Sequence, residues 1–539
     1  MRTPLSELPG VSSLVKDYID NFGKVKEFYN GDYNNFDVFQ ERAEEVRNRE
    51  LPLGKLASIL KEQNQSYGCG FRTLENIDLL LERRACAVVT GQQVGLFSGP
   101  LYTIYKALST IKLAARLNRT CEGCYVPVFW LASEDHDFRE VNHVKIINKE
   151  NQVVQLTYHP DWQDGRRPVF LINLDADINS AINELLDHTH PSEFKDEVVE
   201  RLKEAYHPNQ NFVKAFALWL THLFKSYGLI LIDGSDKRMK VLGRSIFKEE
   251  INDNSPVTQK TLETNQRLIA LGYHAQVHVH KGLLNMFFLN QDRHTLEIQN
   301  GKFHLKGMNK WFTRQELIDL VEKEPQRFSP NVLMRPIYQD TLLPTVAYVA
   351  GPAEIAYYAQ MKGIYEYFNL PMPIIYPRKS VTLVEKKVDK VLDSYNLKVS
   401  DFWNDVEQLI NQIARENLPP SIEEKIAKSK DCIEKDLSIL EQEVTAFEPT
   451  LRESFEVVKG KMQHQIDVLE KKILQAYKRR NEIVRNQIYK AKNNLYPDHN
   501  LQERELNIVP YLFKYGFNFI DRLYEALDMA NHDHQIIRL

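Results

Sequence analysis

Five short apolar runs stand out along the chain, and each is rich in β-branched or aromatic residues. Unbroken apolar runs of this length that end near Gly, Ser, Asp or Pro are typical of strands buried on both faces of a parallel sheet. We therefore predict strands at Cys86–Gly91, Val126–Ser133, Leu229–Ser235, Pro344–Gly351 and Met372–Arg378.

Helical patterns lie between these runs. In Leu101–Leu117 and in Glu354–Phe368 the apolar residues recur at three- and four-residue steps, and residues 1–80 carry charged helix-forming segments. Alternation of strand and helix implies right-handed crossovers. The predicted fold is α/β, with a Rossmann-like doubly wound parallel sheet as its core.

Two connections are much longer than an ordinary crossover. Roughly 95 residues separate the second and third runs, and roughly 110 separate the third and fourth. Both contain strand-like pieces of their own, among them "VVQLTYH", "QVHVH" and "MFFLNQ". We predict a core over residues 1–384 with two inserted connective modules, at about 145–225 and 237–330.

The pattern changes after residue 384 to charged helix with a repeating apolar seam. "NLPPS" at 417–421 and "EPT" at 448–450 interrupt it. Two seams around a proline-containing break favour a helical hairpin or coiled coil over 385–500, and the alternative is one long helix on the parent domain. The seam residues are Ile426, Ile433, Leu437, Leu440, Val444 and Phe447, then Leu451, Phe455, Val458, Met462, Ile466, Leu469 and Ile473.

An exposed coiled coil commonly serves dimerisation, so a homodimer is expected. Residues 501–539 form the last segment, in which Asn507–Ala530 reads as one apolar helix that packs back on the core.

Composition and charge narrow the class of protein. Hydrophobic residues make up 43% and charged residues 26%, which is the balance of a globular protein. The net charge of -4 disfavours a nucleic-acid partner. We find no apolar stretch of signal-peptide length at the N-terminus and no run of about 18 apolar residues, so we expect no membrane span.

The cysteines are few and odd in number, five in 539 residues, which suits a reducing cytoplasm. Cys121 and Cys124 form a C-x-x-C pair, which is a motif of redox pairs and of half zinc sites. Since no second pair follows at zinc-site spacing, two reduced loop cysteines are the favoured interpretation.

A glycine-rich turn joins the first predicted strand to the next helix. Gly91, Gly95 and Gly99 are four residues apart, and Pro100 begins the helix. Strand, turn and helix N-terminus together can bind an anion, although the spacing matches neither common phosphate-binding motif and a structural turn is the alternative. Lys106 either meets a phosphate or is a solvated surface lysine.

The second strand ends in four ionisable residues, Glu134, Asp135, His136 and Asp137. The carboxyl end of a parallel strand is where doubly wound sheets bind ligands, and charges crowded there should repel one another and shift their pKa values. Candidate roles are a Mg²⁺ ligand, a general base or an anchor for an amino group, against a plain acidic surface turn. His143, further along, is expected to pack or to form hydrogen bonds.

The last two strands also end in polar turns. After the fourth, Gly351 and Pro352 lead to Glu354, which either complements a helix dipole or faces the crevice. After the fifth, Arg378–Ser380 and Thr382 form a cationic and hydroxyl loop suited to the β- and γ-phosphates of ATP. A basic loop at a domain boundary is the alternative.

Three histidines alternate in "GYHAQVHVHKG". On a strand, His274, His278 and His280 would share one face, so a metal site is conceivable. No cysteine or carboxylate joins them in sequence, and we predict no metal.

The order of these motifs resembles the layout of class I aminoacyl-tRNA synthetases and nucleotidyltransferases. More closely, the chain resembles the BshC family, the cysteine-adding ligases of bacillithiol biosynthesis. The resemblance is carried by the blocks "VVTGQQVGLFSGPLYTIYKA", "VPVFWLASEDHDFREVNHV", "GYHAQVH", "FSPNVLMRPIYQDTLLPTVAYVAGPAEIAYYAQ", "PMPIIYPRKS" and "NLQERELNIVPYLFKYG".

The resemblance implies a ligase that joins cysteine to glucosaminyl-malate through an amide bond, with ATP and Mg²⁺. With that activity, our hypothesis is that Lys106 and Glu134–Asp137 are the catalytic residues, and that Glu134–Asp137 hold the amine or Mg²⁺. "GPLYTIYK" falls where the HIGH motif would be and "PRKS" where KMSKS would be. The residues implied to bind nucleotide or substrate are Thr90, Gly91, Gln92, Gln93, Gly99, Pro100, Tyr102, Thr103, Gly351, Pro352, Glu354, Arg378, Lys379 and Ser380.

One departure from the synthetase pattern is clear, because no histidine occurs between Thr90 and Lys106. Contacts to the α-phosphate must then come from Gln92, Gln93, Lys106 or backbone N–H groups. Otherwise the activated intermediate is an acyl phosphate rather than an adenylate. Two other functions stay open: a non-catalytic coiled-coil scaffold, and a tRNA-acting ligase, which the acidic net charge disfavours.

Overall fold

The computed structural model describes residues 2–160, 167–416, 420–480 and 482–539. The described chain divides into two compact units. The first contains Met1–Thr382 and Leu501–Ile537, and the second contains Leu383–Asn500 and Arg538–Leu539.

The strands are β1 Arg2–Thr3, β2 Ala85–Gln93, β3 Cys124–Ala132, β4 His143–Ile147, β5 Val153–Thr157, β6 Ile230–Asp233, β7 Leu283–Asn290, β8 Asp292–Gln299, β9 Lys302–Leu305, β10 Trp311–Phe312, β11 Phe328–Pro330, β12 Thr345–Ala350, β13 Ile374–Pro377, β14 Val381–Val384 and β15 His534–Arg538.

The α-helices are α1 Ser13–Asp20, α2 Asp37–Arg47, α3 Leu53–Ser66, α4 Phe71–Leu81, α5 Leu101–Thr120, α6 Phe138–Val141, α7 Asp177–His188, α8 Lys195–Ala205, α9 Phe212–Phe224, α10 Lys237–Leu242, α11 Arg244–Asn252, α12 Pro256–Ala270, α13 Arg314–Lys323, α14 Met334–Leu342, α15 Pro352–Tyr358, α16 Lys362–Tyr367, α17 Lys386–Ser394, α18 Val406–Glu416, α19 Pro420–Phe447, α20 Arg452–Arg480, α21 Glu482–Leu495, α22 Gln502–Glu505, α23 Val509–Tyr515 and α24 Asn518–Ala526.

The central sheet of the first unit is parallel throughout. Its order is β13-β12-β2-β3-β6, so all five predicted strands are confirmed and lie in one sheet. Strands β12 and β13 are buried along their whole length, and β2 is buried over its first seven residues. Burial on both faces explains why these strands appear in the sequence as continuous apolar runs.

The two long connections build structure of their own. The first carries the antiparallel pair β4–β5 and helices α7–α9. The second carries α10–α12 and α13, with an antiparallel sheet of order β10-β9-β8-β7-β11. Antiparallel strands need only short turns, so a connection of this length can form its own sheet beside the parallel one.

In the second unit, α19 and α20 form the predicted hairpin around the break at 448–450. Lys430 lies 3.0 Å from Asp467 and 2.8 Å from Glu470, and Lys459 lies 3.1 Å from Glu441. The earlier residue of α19 pairs with the later residues of α20 and the later with the earlier, so the two helices run antiparallel. Of the other predicted break, residues 417–419 lie outside the described residues.

The predicted C-terminal helix is wrong in one respect. Asn507–Ala530 is not one helix, because Gly516 separates α23 from α24. Gly516 has φ +69°, and a Cβ at this position would lie 2.9 Å from the Phe194 ring. A residue with a side chain is disfavoured on both counts, so the helix ends there.

Candidate functional site

The order of the parallel sheet fixes where a ligand can bind. From β2 the chain adds β3 and then β6 on one side, whereas β12 and β13 extend the other side. The boundary between β2 and β12 is therefore the switch point of the sheet. In open α/β sheets ligands bind outside the carboxyl ends of the strands at this point.

A cavity of about 680 Å³ lies at this switch point, which is a size typical of small-molecule sites. Residues from the carboxyl ends of β2, β3 and β12 line it, together with residues of the second insertion and of α22. The residues predicted from the sequence that line it are Gly91, Gln92, Gln93, Tyr102, Lys106, Glu134, Asp135, Gly351, Pro352, Glu354 and Arg378.

Lys106 and Glu354 join the two halves of the switch point. Lys106 Nζ lies 2.6 Å from a Glu354 carboxylate oxygen and donates to the Gly91 carbonyl at 2.7 Å. Glu354 also accepts from the Tyr348 hydroxyl at 2.7 Å and from the Gly351 N–H at 2.8 Å. Burial lowers the pKa of Lys106, and Glu354 opposes this shift. Lys106 is only 4% exposed, so the surface-lysine alternative is wrong.

Close packing at this point favours glycine at position 91. A Cβ on Gly91 would meet the Trp130 carbonyl oxygen and the Tyr348 hydroxyl, both at 3.3 Å. The β2 backbone therefore lies directly against the two neighbouring strands where the cavity opens.

The carboxylates after β3 are separated by individual cations. Glu134 pairs with the buried Lys240 at 2.6 Å; burial raises the pKa of Glu134, and Lys240 opposes the rise. Burial by itself would also raise the pKa of Asp135. Hydrogen bonds from His136 and Gln93 and the charge of Arg293, 3.0 Å away, instead lower that pKa well below its ordinary value.

Asp137 does not belong to this group. It is exposed and precedes α6, and it does not line the cavity. The predicted pKa shifts are found for Glu134 and Asp135. The predicted crowding of four charges is wrong, because Glu134 and Asp135 have cations of their own and Asp137 is exposed. His136 lies beside them, with Nδ1 3.3 Å from Arg293, and does not line the cavity either.

The loop after β13 is held rigidly by the C-terminal segment. The Arg378 guanidinium donates to both oxygens of Glu503, at 2.7 and 3.0 Å. Ser380 donates to Glu503 at 3.0 Å, and Lys379 Nζ donates to the Asn531 carbonyl at 3.0 Å. Of the three predicted residues, only Arg378 reaches the large cavity.

The same C-terminal segment covers the glycine turn. Leu101 N–H, the first of α5, donates to the Leu506 carbonyl at 2.8 Å. Asn507 donates to the carbonyls of Phe97 and Gly99 at 2.9 and 2.6 Å. One of the N–H groups that would bind an anion at this helix end is therefore already used.

A second cavity of about 420 Å³ lies beside the first, and Gln92, Gln93, Tyr102 and Arg504 line both. Gly99, Pro100 and Thr103 line only the second. Thr90 lines neither, because its hydroxyl donates to the Val349 carbonyl at 2.8 Å and ties β2 to β12.

Several residues of the large cavity were not predicted from the sequence. Arg293 comes from β8, Arg335 from α14 and Arg504 from α22. Arg335 and Arg504 fall in two of the blocks that carry the family resemblance, so a signal was present. Arg293 lies outside those blocks, and its partner Asp135 is distant in sequence.

The alternating histidines do not lie on a strand. Residues 273–280 have no regular structure, and the Gln360 side chain bonds both the N–H and the carbonyl of Val277, at 2.8 and 2.9 Å. The Gln360 side chain thus makes the backbone hydrogen bonds that a neighbouring strand would otherwise make. Over the residues that the structure describes, no group of three His, Cys, Asp or Glu side chains is placed to hold a metal ion.

No helix within the described ranges has the length and apolar character needed to cross a membrane. The five described cysteines, Cys121 and Cys124 among them, form no disulfide.

Fold and site together define a Rossmann-like α/β protein with a ligand cavity at the switch point and a C-terminal coiled coil. Two family models match it: the N-terminal Rossmann-like domain of bacillithiol biosynthesis BshC over residues 1–379, and the C-terminal coiled-coil domain of the same family over residues 381–539. The chain belongs to the bacillithiol biosynthesis BshC family.

Relatives named "Putative cysteine ligase BshC" align over nearly the whole chain. The Salinibacter ruber protein is 37% identical, with 99% of this chain and 98% of its own covered. Those of Desulforamulus reducens and Chloroherpeton thalassium are each 33% identical, with 96% and 98% of this chain covered and 96% of their own in both cases.

A solved structure described as a "putative arginyl t-RNA synthetase" from Campylobacter jejuni covers 88% of this chain and 97% of its own, at 12% identity and a TM-score of 0.25. A likeness this weak supports no conclusion about fold or function.

Proposed function

We propose that this protein is a ligase that joins the carboxyl group of cysteine to the amino group of glucosaminyl-malate, with ATP consumed to form the amide bond. Family membership supports the reaction class, and the relatives' printed names support cysteine as a substrate. The single observation that carries the proposal is the cavity at the switch point, lined by both carboxylates and cations.

The lining fits an ATP-dependent activation of a carboxylate. Negative charge develops on oxygens during acyl activation, and fixed cations in a partly enclosed site stabilise it. Arg378 faces the cavity and also lies over the Tyr102 ring, with 5.6 Å from the guanidinium carbon to the ring centroid. We propose that Arg378 and the backbone at Gly91 contact the triphosphate.

The glutamines are less suited to replace the missing histidines. Gln92 donates to the Tyr102 hydroxyl at 3.2 Å and accepts from Lys106 at 3.1 Å, so both ends of its amide are engaged. Gln93 donates to Asp135 at 2.8 Å and to Glu140 at 3.0 Å. We assign these glutamines to positioning the wall between the two cavities.

The carboxylates at the end of β3 are suited to the amine substrate. Glu134 lines the cavity and burial raises its pKa, which favours acceptance of a proton from an attacking amine. Asp135 stays ionised beside Arg293 and can hold an ammonium group. Mg²⁺ is expected to enter with the ATP phosphates, since this ion usually keeps waters and few protein ligands.

An assay of nucleotide and amide products tests this function. The purified chain is incubated with ATP, Mg²⁺, cysteine and glucosaminyl-malate, and each substrate is omitted in turn. We expect the amide product together with AMP or ADP only when all are present, and the nucleotide formed identifies the activation step. Nucleotide consumption that does not depend on cysteine, or the absence of any amide product, contradicts the proposal.

Glu134→Gln tests the proposed proton acceptor in the same assay, with Arg119→Gln as control. Arg119 is exposed in the last turn of α5, far along a 20-residue helix from the cavity. We expect at least a hundredfold loss of kcat for Glu134→Gln, in line with general-base contributions of about 10²–10⁴. Equal activity of both variants would remove Glu134 from this role.

We also propose that the α19–α20 hairpin joins two copies of the chain. Large apolar side chains are exposed on it, with Ile439 at 60%, Phe447 at 88% and Leu469 at 57%. We take these side chains as the candidate contacts with a second copy of the chain. Sedimentation of wild type against the triple serine variant at these positions tests this, and a monomeric wild type contradicts it.

A further inference from the structure

The cations that line the large cavity fall into two groups. Lys106, Arg293 and Arg378 each have a carboxylate partner, namely Glu354 at 2.6 Å, Asp135 at 3.0 Å and Glu503 at 2.7 Å. Their charges are balanced within the protein. Arg335 and Arg504 line the same cavity. Within the described ranges neither forms an ion pair with a carboxylate, and the buried Asp340 carboxyl acts on Arg335 only through its charge at longer range.

Arg335 is held in place by neutral groups. It donates to the Gln339 side chain at 2.9 Å and to the Tyr348 hydroxyl at 3.4 Å. Its guanidinium carbon is 5.4 Å from the centre of the Tyr348 ring. These contacts orient the guanidinium without neutralising it, which leaves a preformed donor at the cavity wall.

Arg504 reaches the cavity from α22, which is far along the sequence from the switch-point strands β2 and β12. It lines both cavities and adds a second uncompensated positive charge. Glu503, its neighbour, is buried and used by Arg378 and Ser380, so it offers no compensation.

Resting on the proposed function, we propose that Arg335 and Arg504 bind the two carboxylates of the malate end of the acceptor. Two guanidiniums on separate helices match a ligand with two planar anionic groups, since each fork pairs with one carboxylate through two parallel hydrogen bonds. The surplus of two positive charges equals the charge of a dicarboxylate. Both side chains are therefore specificity-determining residues for a sugar-linked dicarboxylate.

The phosphates of ATP are the other source of anionic oxygens at this site. Phosphates in Rossmann-like folds lie against the first strand's turn and the helix that follows it. Arg335 and Arg504 belong to neither element, and neither lies in the loop after β13 that carries Arg378, the cation assigned to the triphosphate. The test must nevertheless separate the two ligands.

Binding rather than turnover provides the test, so its outcome does not depend on ligase activity. Titration calorimetry measures the Kd of glucosaminyl-malate, malate, glucosamine and ATP for wild type, Arg335→Gln and Arg504→Gln. Arg119→Gln is the matched control, because it removes an exposed arginine of α5. Urea midpoints verify that each variant is folded. If a glutamine variant does not fold, Arg335→Lys or Arg504→Lys replaces it, because lysine keeps the charge but not the two parallel donors.

We expect each glutamine variant to raise the Kd of glucosaminyl-malate and of malate roughly tenfold or more, as for hydrogen bonds to charged groups. Glucosamine and ATP should bind as to wild type, and the lysine variants should lose less. An unchanged Kd for the acceptor overturns the proposal, and so does a rise in the Kd of ATP alone. If the amide product is never formed but malate binding follows these arginines, only the ligase function fails.

Discussion

The crevice and the helical hairpin use the same ion-pair chemistry in opposite surroundings. Lys106 and Glu354 in the crevice have side chains only 6% and 16% exposed, whereas Lys430 and Asp467 on the hairpin are 37% and 57% exposed. Water screens the second pair and competes for its hydrogen bonds, but it does so far less for the first. Similar distances therefore imply very different consequences when a partner is removed.

The buried pairs also differ from the exposed ones in what they connect. Lys106–Glu354 links the β2 and β12 sides of the switch point, and Arg378–Glu503 links the β13 loop to the C-terminal segment. Such pairs hold the walls of the cavity in one geometry. The hairpin pairs only join neighbouring turns of two exposed helices.

The largest expected effect comes from Lys106→Met. An uncompensated Glu354 should lower the free energy of unfolding by roughly 3–5 kcal/mol. Amide formation should fall at least a hundredfold, since the cavity walls lose their link. Urea denaturation and the product assay measure these two quantities.

The double variant Lys106→Met/Glu354→Gln sharpens this result. With both charges gone, stability should recover in part while activity stays low. Recovery of activity along with stability would show that the pair serves folding alone.

Glu503→Gln tests the second buried pair. It leaves the Arg378 charge without a carboxylate in a buried setting, so we expect a loss of roughly 3 kcal/mol in the free energy of unfolding. Urea denaturation measures it, and Glu505→Gln on the same short helix α22 is the control, because Glu505 is less buried and pairs with Lys145. Equal losses in both variants would contradict the importance assigned to burial.

The stability of the folded chain depends on pH through the buried His534. Burial lowers its pKa to about 4, below the ordinary value of about 6.5. Between these pH values the unfolded chain binds a proton at His534 that the folded chain does not, so stability falls as the pH drops from about 6.5 to about 4. The contribution is at most about 3 kcal/mol.

His534→Asn should flatten part of this slope, as urea midpoints at pH 4.5, 5.5 and 6.5 would show. Part should remain, because burial also lowers the pKa of His532 to about 4. An unchanged slope would mean that His534 is not protonated on unfolding in this range.

The smallest effect is expected on the hairpin. Lys430→Gln removes the partner of Asp467 and Glu470 at a solvated site, so the urea midpoint should stay within the scatter of replicate measurements. Repeating the measurement at low and high salt tests whether screening is the reason. A shift as large as that of Lys106→Met would contradict the expected difference between buried and exposed ion pairs.

Much of the fold was predictable from the chain alone. Strands buried on both faces must be apolar along their whole length, so β2, β3, β6, β12 and β13 are visible as runs. The hairpin was predictable for a similar reason, because its seam repeats at helical spacing around Pro449. The split of the C-terminal helix at Gly516 was not predicted, since a glycine in an apolar pattern does not by itself indicate a left-handed turn.

The site was predictable only as a set of candidates. The α/β pattern placed Gly91 and Glu134 at the carboxyl ends of strands, and Lys106 and Glu354 on the helices that follow strands, all near the edge where such sheets bind ligands. Lys379 and Asp137 were equally plausible by that reasoning, yet neither lines the cavity. The direction of a side chain after a strand depends on the loop that follows, which local pattern does not specify.

The sequence by itself determined where the strands and the helical hairpin lie, because burial on both faces and helical periodicity leave a local pattern. Only the tertiary structure decided which charge meets which, since Lys106 and Glu354, Arg378 and Glu503, and Asp135 and Arg293 come from distant parts of the chain. Over the part of the chain that the structure describes, it also left Arg335 and Arg504 without a carboxylate in ion-pair contact. Charge balance is a property of a site, and a site exists only once the chain is folded.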